Sequence, residues 1–226
     1  MQEELAMIEK NHTWELVEKP KDQKVIGVKW VFRTKLNADC SINKHKARLV
    51  VKGYAQIFGV DYSNTFVPVS ILDTIRLVLA VAAQNSWKIF QLDVKLAFLN
   101  GELQEKIYVE QPEGFMKKGE EDKVYLLKKA LYGLKQAPRA WYNKINDHLL
   151  SIGFAKNLSE STLYVKHKGH NLLTVSLYVD DLLVTRDDTR LVEEFKQEMM
   201  QAFEMTDLGL MTYVLGIEIK QSENKV

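Results

Sequence analysis

The sequence predicts an α+β protein, in which strands and helices are mixed without a strict strand–helix–strand alternation. Two observations support this class. Short apolar or alternating stretches bounded by turn residues predict strands, and other stretches with apolar residues four positions apart predict helices. The 226 residues contain no repeat, low-complexity tract or Pro/Ser-rich linker, so we expect one continuous domain over residues 1–226.

Each predicted helix shows an apolar stripe or an end signal. Ile75 and Leu79 begin the stripe of one helix, and Pro138 and Gly153 mark the start and the end of another. The last helix has a stripe that includes Phe195 and repeats every four residues. The predicted helices cover residues 2–10, 73–84, 138–153 and 191–203.

The predicted strands are short apolar or alternating stretches, rich in β-branched and aromatic residues. They cover residues 25–36, 46–54, 87–92, 107–111, 124–127, 162–166, both sides of Asp180-Asp181, and 213–220.

Composition limits the class of protein. With 46% hydrophobic and 27% charged residues, the chain can bury a globular core. Cys40 is the single cysteine, which rules out an internal disulfide and fits a reducing compartment. The N-terminus lacks the pattern of a signal peptide, and no apolar stretch approaches the roughly 20 residues that cross a bilayer. We expect a soluble, intracellular protein.

The net charge of +1 hides a basic stretch between Lys24 and Lys52, in which Asp39 is the only acidic residue. The cations between these ends are Lys29, Arg33, Lys35, Lys44, Lys46 and Arg48. Such strands could present a face to phosphate groups. A solvated lysine-rich surface explains the same pattern, and the residues alone leave both readings open.

The most informative feature is the Asp180-Asp181 pair inside an apolar run from Leu172 to Val184. Strand-like stretches flank the pair, so we expect it at the tip of a hairpin. Close carboxylates repel each other, and in a poorly hydrated place one takes up a proton unless a cation binds nearby. The pair therefore favours a divalent metal site over the alternative, an exposed turn.

Asp93 offers a third carboxylate, because it ends the apolar strand that starts at Trp87. Burial of an aspartate there requires compensation. A cluster of Asp93, Asp180 and Asp181 would supply the oxygen ligands that magnesium prefers. Two such ions can activate a 3′-hydroxyl and stabilise a leaving pyrophosphate. Sequence spacing alone does not establish this cluster.

A series of segments runs in the same order as in a known family. They are Trp14-Glu15-Leu16-Val17, Val28-Lys29-Trp30-Val31-Phe32, Lys46-Ala47-Arg48-Leu49-Val50, Lys52-Gly53-Tyr54, Asp93-Val94-Lys95, Ala97-Phe98-Leu99-Asn100-Gly101, Gln111-Pro112-Glu113-Gly114-Phe115, Leu131-Tyr132-Gly133-Leu134-Lys135-Gln136-Ala137-Pro138-Arg139, Tyr178-Val179-Asp180-Asp181, Asp207-Leu208-Gly209 and Leu215-Gly216-Ile217-Glu218-Ile219. On these segments, the chain resembles the reverse transcriptase domain of copia-type LTR retrotransposon Pol polyproteins.

The resemblance implies a right-hand polymerase with a palm, an antiparallel sheet with packed helices, and fingers. Fingers would lie mainly in residues 12–87 and 107–140, and palm mainly in 88–106 and 141–226. Thumb and RNase H would be missing. The implied activity is RNA-directed DNA synthesis from dNTPs with two Mg²⁺ ions, or Mn²⁺, on an RNA template and a DNA or RNA primer.

The implied metal-binding catalytic residues are Asp93, Asp180 and Asp181, and Val94 would lend a backbone carbonyl to a metal. Further roles concern the nucleotide and the primer.

Lys46 and Arg48 would contact the incoming triphosphate. Phe98 would exclude a ribose 2′-hydroxyl, and Gln136 would be a polar contact for template or nucleotide. Tyr178 would lie against the primer end. A core phenylalanine and an ordinary strand tyrosine remain the alternatives for Phe98 and Tyr178.

Five positions depart from the family pattern, in which position 96 is small or polar, 71 is arginine, 40 and 186 are glycine, and 67 is alanine. The chain has Leu96, Ile71, Cys40, Arg186 and Val67 there. Cys40 and Arg186 would be strained if their turns need φ > 0. These departures and the missing domains support an alternative function, a catalytically inactive, truncated remnant that at most binds nucleic acid.

The resemblance also implies other parts of the Pol polyprotein as partners, and a cytoplasmic virus-like particle as the location.

Overall fold

The computed structural model describes residues 1–37, 39–169, 171–186 and 189–221. The chain forms two compact units, one built from Met1–Phe66 with Phe98–Lys144 and the other from Val67–Ala97 with the chain from Ile145 onward. These boundaries differ from the expected fingers and palm, since residues 67–87 join the second unit and residues 98–106 the first. The assignment of fingers and palm stays a prediction.

Helices and strands alternate irregularly along the described chain, which confirms the α+β class. The helices are α1 (Gln2–Lys10), α2 (Leu72–Gln84), α3 (Ala137–Ser151) and α4 (Thr189–Ala202). The strands are β1 (Trp14–Val17), β2 (Val25–Ile26), β3 (Val28–Leu36), β4 (Ile42–Val51), β5 (Lys88–Val94), β6 (Glu102–Val109), β7 (Val124–Lys129), β8 (Ala155–Lys156), β9 (Leu163–Lys168), β10 (Asn171–Tyr178), β11 (Asp181–Arg186), β12 (Met205–Leu210), β13 (Tyr213–Val214) and β14 (Ile217–Glu218).

The four predicted helices are confirmed to within about two residues at each end. The prediction of one strand over residues 213–220 is wrong. Leu215 and Gly216 have φ values of 46° and 86°, so the chain turns there and pairs the short strands β13 and β14. β1, β8 and β12 were not predicted.

The first unit contains a four-stranded sheet in the order β1-β7-β6-β2 and a separate ribbon of β3 and β4. In the ribbon, Val31 lies opposite Arg48 and Arg33 lies opposite Lys46. Directly opposed residues of antiparallel strands share one face. Lys46 and Arg48 are two residues apart on β4, so the predicted nucleotide-binding cations lie on one face of the ribbon.

The second unit is built on an antiparallel sheet in the order β12-β5-β11-β10-β9-β8. Ile75 of α2, Ile89 of β5 and Leu183 of β11 belong to one buried cluster. β5 and β11 each have a strand on both sides, so the residues at their ends are fixed by two ladders of hydrogen bonds.

None of the described helices is both long enough and apolar enough to span a lipid bilayer.

Two chain segments of the first unit approach closely at Gly133. The Val51 amide donates a hydrogen bond to the Tyr132 carbonyl at 2.7 Å. A Cβ atom added to Gly133 would meet the Val51 carbonyl oxygen, and it would lie 2.7 Å from Cγ1 of Val50. Gly133 also has φ +92°, which favours glycine. Two independent constraints therefore require glycine at this position.

We expect Gly133→Ala to lower the free energy of unfolding by at least about 3 kcal/mol, because overpacking adds to backbone strain. Gly119→Ala is a matched control, since Gly119 has φ +82° but nothing within 4 Å of an added Cβ. In this control the free energy of unfolding should fall by only about 1 kcal/mol. Urea denaturation of both variants measures the difference, and equal losses would contradict the close approach.

Candidate active site

The aspartate pair lies at the tip of the β10–β11 hairpin, as the sequence predicts. Tyr178 pairs with Asp181 across the hairpin, so Val179 and Asp180 form a two-residue connection. Two-residue hairpins fix the register of their strands. Both carboxylates are therefore held at one end of the sheet.

Val179 adopts φ 55° in this turn. A positive φ at the first central position is typical of a type II′ turn, where glycine is the usual residue. A β-branched residue there costs on the order of 1–3 kcal/mol, which the surrounding structure must offset. The Val179 amide donates a hydrogen bond to the Pro68 carbonyl at 2.7 Å, which helps to hold the turn.

Asp93 lies directly opposite Asp181 on the neighbouring antiparallel strand β5. Opposed residues of this kind have Cα atoms about 4.5–5.5 Å apart and point to the same face. The Val94 amide donates to the Asp180 carbonyl at 2.8 Å, so Asp180 is tied to the same strand end. The backbone thus brings the three predicted aspartates to one edge of the sheet, all of them half-buried.

Ionisation of all three aspartates at once is unfavourable at this end of the sheet. Burial raises the pKa of Asp181, and the nearby charges of Asp180 and Asp93 raise it further. Gln91 acts in the opposite direction, because its amide donates a hydrogen bond to Oδ1 of Asp181 at 3.1 Å. Gln91 was not singled out in the sequence, although its position two residues before Asp93 places it on the same face of β5.

The donor chemistry of the three aspartates fits a hard divalent cation, since carboxylate oxygens and mutual repulsion both favour one. Within the described ranges, however, no three acidic, histidine or cysteine side chains are arranged as a ready metal cage. Val94 ends β5 and is buried. The metal-binding roles of these residues therefore stay predictions.

In the first unit, Tyr132 brings two predicted nucleotide-binding residues together. The Arg48 guanidinium carbon lies 4.9 Å from the centre of the Tyr132 ring, and the Phe98 ring lies 5.2 Å from it. Cation–π attraction favours this position of Arg48. Apart from its place in the Leu131–Arg139 segment, no local pattern singles out Tyr132, because its contacts join remote parts of the chain.

Lys46 lies two residues before Arg48 on β4, opposite Arg33. Partial burial lowers the pKa of Lys46, and the charge of Arg48 lowers it further. An anion that binds to this ribbon would relieve the repulsion between these cations.

Gln136 was expected to contact a nucleotide or the template, but it is only 1% exposed. Its amide nitrogen donates to the Asp61 carbonyl at 3.0 Å, and its amide oxygen accepts from Gln56 at 3.0 Å. In this arrangement the side chain holds the loop between Gln56 and Asp61. Because the side chain is buried, contact with a substrate would require its surroundings to move.

Tyr178 is half-buried and packs against the cluster that contains Ile75 and Leu183, which agrees with an ordinary strand tyrosine. Its contact with a primer stays a prediction.

The departures from the family pattern have different structural consequences. Cys40 has φ 64° and Leu96 has φ 52°, so both adopt the left-handed conformation that glycine or asparagine adopts more readily. Arg186 is not in such a turn: it lies in β11 opposite Lys88 and is 1% exposed. Strain is therefore confirmed at Cys40 and absent at Arg186.

Comparison with known proteins identifies related sequences over nearly the whole chain. A family model described as reverse transcriptase (RNA-dependent DNA polymerase) matches residues 11–226. The retrovirus-related Pol polyprotein from transposon RE2 of Arabidopsis thaliana is 45% identical over 212 residues, which cover 93% of this chain and 15% of that protein. The corresponding polyprotein from transposon TNT 1-94 of Nicotiana tabacum is 44% identical over 220 residues, or 97% of this chain and 17% of that protein. The chain thus spans a minor part of these relatives.

A solved structure supports the fold. The foamy viral protease-reverse transcriptase dRH in complex with double-stranded DNA superposes with a TM-score of 0.51 at 13% sequence identity, covering 97% of this chain and 33% of that one. At this identity the likeness concerns the fold alone.

Because the pKa of Asp181 is raised, we expect Asp181→Asn to stabilise the protein in a pH-dependent way. A carboxyl group whose folded pKa is raised stabilises the fold below its unfolded pKa of about 3.9, and this contribution is lost as pH rises through the folded value. Asp181→Asn should therefore raise the free energy of unfolding at pH 7 without metal, and this gain in stability should disappear near pH 4.

Urea denaturation across this pH range provides the measurement, with Asp22→Asn as the control because Asp22 is exposed. A loss of stability in Asp181→Asn at pH 7 would show that the charged carboxylate is favourable in the fold.

Proposed function

Because the chain belongs to the reverse transcriptase (RNA-dependent DNA polymerase) family, we propose that it carries the catalytic centre for RNA-directed DNA synthesis in a copia-type retrotransposon Pol polyprotein. The observation that carries this proposal is the cross-strand pair of Asp93 and Asp181, with Asp180 tied to the end of β5. Three carboxylates at one sheet edge suit a two-metal nucleotidyl transfer.

In this proposal Asp93, Asp180 and Asp181 hold Mg²⁺, or Mn²⁺, with the Val94 carbonyl as a further ligand. The bound ions would activate the primer 3′-hydroxyl and neutralise charge on the phosphates. The chain contributes preorganisation, because the two-residue turn and the β5–β11 ladder fix the backbone positions of the aspartates. Gln91 keeps Asp181 more acidic than burial alone would allow.

The first unit supplies the nucleotide contacts in this proposal. Lys46 and Arg48 would stabilise charge on the incoming triphosphate. Phe98 would exclude a ribose 2′-hydroxyl, and Tyr132 would support both Phe98 and Arg48 through the contacts described above. Gln136 would act indirectly, by holding the loop between Gln56 and Asp61.

The proposed partners are an RNA template, a DNA or RNA primer and dNTPs, with Tyr178 near the primer end. The likeness to a reverse transcriptase in complex with double-stranded DNA supports a duplex as the bound form. Other parts of the Pol polyprotein would complete the enzyme, and synthesis would take place in a cytoplasmic virus-like particle.

A second candidate function is that of an inactive remnant that folds and at most binds nucleic acid. Leu96 supports it, because a leucine with φ 52° stands three residues after Asp93, where the family has a small or polar residue. A remnant would show salt-dependent nucleic-acid binding without primer extension.

Primer extension on an RNA template with dNTPs and Mg²⁺ separates the two candidates. We expect extension by the unmodified chain, and a loss on the order of 10³-fold in the double variant Asp180→Asn/Asp181→Asn, because charge stabilisation at the reacting phosphate is removed. Asp73→Asn is the control, since Asp73 is exposed on α2. Absence of extension from a folded protein would favour the remnant.

We expect Phe98→Ala to weaken the preference for dNTPs over rNTPs by about 10- to 100-fold, because the side chain would no longer occupy the space of a 2′-hydroxyl. Relative kcat/KM values for dNTP and rNTP incorporation measure the effect. Phe58→Ala is the control, since Phe58 is 70% exposed. An unchanged ratio in Phe98→Ala would assign Phe98 to the core alone.

A further inference from the structure

Ser70 lies just before α2, and its buried hydroxyl contacts the end of β10, the first strand of the aspartate hairpin. Ser70 is 3% exposed, and its Oγ lies within hydrogen-bonding distance of three atoms of the second unit. These are Oγ1 of Thr162 at 2.9 Å, Oγ of Ser176 at 2.9 Å and the carbonyl oxygen of Leu177 at 2.7 Å. One serine therefore joins the segment before α2 to the end of β10.

The proton positions follow from the partners. The Leu177 carbonyl can only accept, so the Ser70 hydroxyl donates to it. Oγ1 of Thr162 donates to Oε1 of Glu160 at 2.7 Å, so the Ser176 hydroxyl is the one that donates to Ser70. In this assignment Ser70 and Thr162 are in contact without sharing a proton. Every assigned proton has an acceptor, as buried polar groups require.

Glu160 joins Thr162, which contacts Ser70, to the first residues of α2. Its carboxylate accepts hydrogen bonds from Thr162, from the Ile71 amide at 3.4 Å and from the Thr74 hydroxyl at 3.3 Å. Burial alone would raise the pKa of Glu160, but these hydrogen bonds outweigh it and lower the pKa. Glu160 is therefore a stable, ionised acceptor.

The network lies where β10 loses its neighbouring strand. Pairing of β10 with β9 ends at Ser176 opposite Leu163. Beyond that point, the Leu177 carbonyl is bonded by Ser70 and the Val179 amide by the Pro68 carbonyl. Residues 68–70 thus replace the missing strand and fix the backbone on both sides of Tyr178.

We propose that Ser70 is a positioning residue of the catalytic hairpin: its hydroxyl, together with the Pro68 carbonyl, holds the strained Val179 turn so that Asp180 and Asp181 stay aligned with Asp93. Ser70 does not touch the reacting groups. It acts on them through β10, and its role in metal binding rests on the proposed function.

The test is amide hydrogen exchange in the metal-free full chain with Ser70→Ala. Exchange at residues 177–181 should accelerate by about 10- to 100-fold, because the Leu177 carbonyl loses its buried partner and the turn opens more often. Exchange at residues 88–92 of β5 should stay unchanged, whereas the Val94 amide, which donates to the Asp180 carbonyl, should follow the turn. Mg²⁺ affinity should fall by about 10-fold.

Thr185→Val is the matched control. Thr185 is equally buried in β11, and its hydroxyl donates to the Lys88 carbonyl at 3.1 Å, away from the turn. The control removes a buried hydroxyl from the same hairpin and should leave exchange at residues 177–181 unchanged. Equal acceleration in both variants would show a general loss of stability and overturn the proposal.

Ser176→Ala provides a second variant in case Ser70→Ala does not fold. It removes one bond to Ser70 and retains the bond from Ser70 to Leu177, so a smaller acceleration is expected at the same residues. Unchanged exchange at Val179 in a folded Ser70→Ala protein would overturn the proposal. Since exchange is measured without metal, an unmodified chain that binds no Mg²⁺ would count against the proposed function alone.

Discussion

Asp93 and Asp181 face each other across two paired strands in the middle of a sheet, and the rest of the second unit is arranged around this opposition. Neither Cα atom of the pair can move away without breaking the β5–β11 ladder. Burial and mutual repulsion raise the pKa of Asp181, so we expect the ionised carboxylate to cost stability at neutral pH when no cation is bound. In the proposed function a divalent cation would remove this penalty, so the repulsion between the carboxylates would favour binding of the metal.

The constraint extends to the backbone. The turn between β10 and β11 has room for two residues, and Val179 accepts a left-handed conformation to keep Asp181 in register with Asp93. Strain of this kind persists only where neighbouring groups determine the conformation. The Pro68 carbonyl and the Ser70 hydroxyl supply that support from a segment remote in sequence. The alignment of the site thus depends on backbone contacts as well as on the carboxylates.

Local patterns in the sequence predicted much of the fold and of the aspartate site. Apolar stripes located the helices, and the apolar run interrupted only by Asp180-Asp181 located the hairpin. Features that depend on remote contacts were missed. The amide of Gln136, a predicted substrate contact, is hydrogen-bonded to Gln56 and Asp61, 80 and 75 positions away, and no local pattern indicates these bonds. Residues 213–220 alternate like a strand, yet the backbone at Leu215 turns with positive φ. Tyr132 showed no local sign of its contacts with Arg48 and Phe98.

Anomalous X-ray diffraction from crystals of the protein soaked in Mn²⁺ tests the central claim most directly, because it locates the ion without requiring polymerase activity. The account predicts an anomalous peak bounded by the carboxylates of Asp93 and Asp181, and its loss in Asp93→Asn. A protein that diffracts well and shows no peak at this sheet edge in millimolar Mn²⁺, or the same peak in Asp93→Asn, would contradict the claim that opposed aspartates form the metal site.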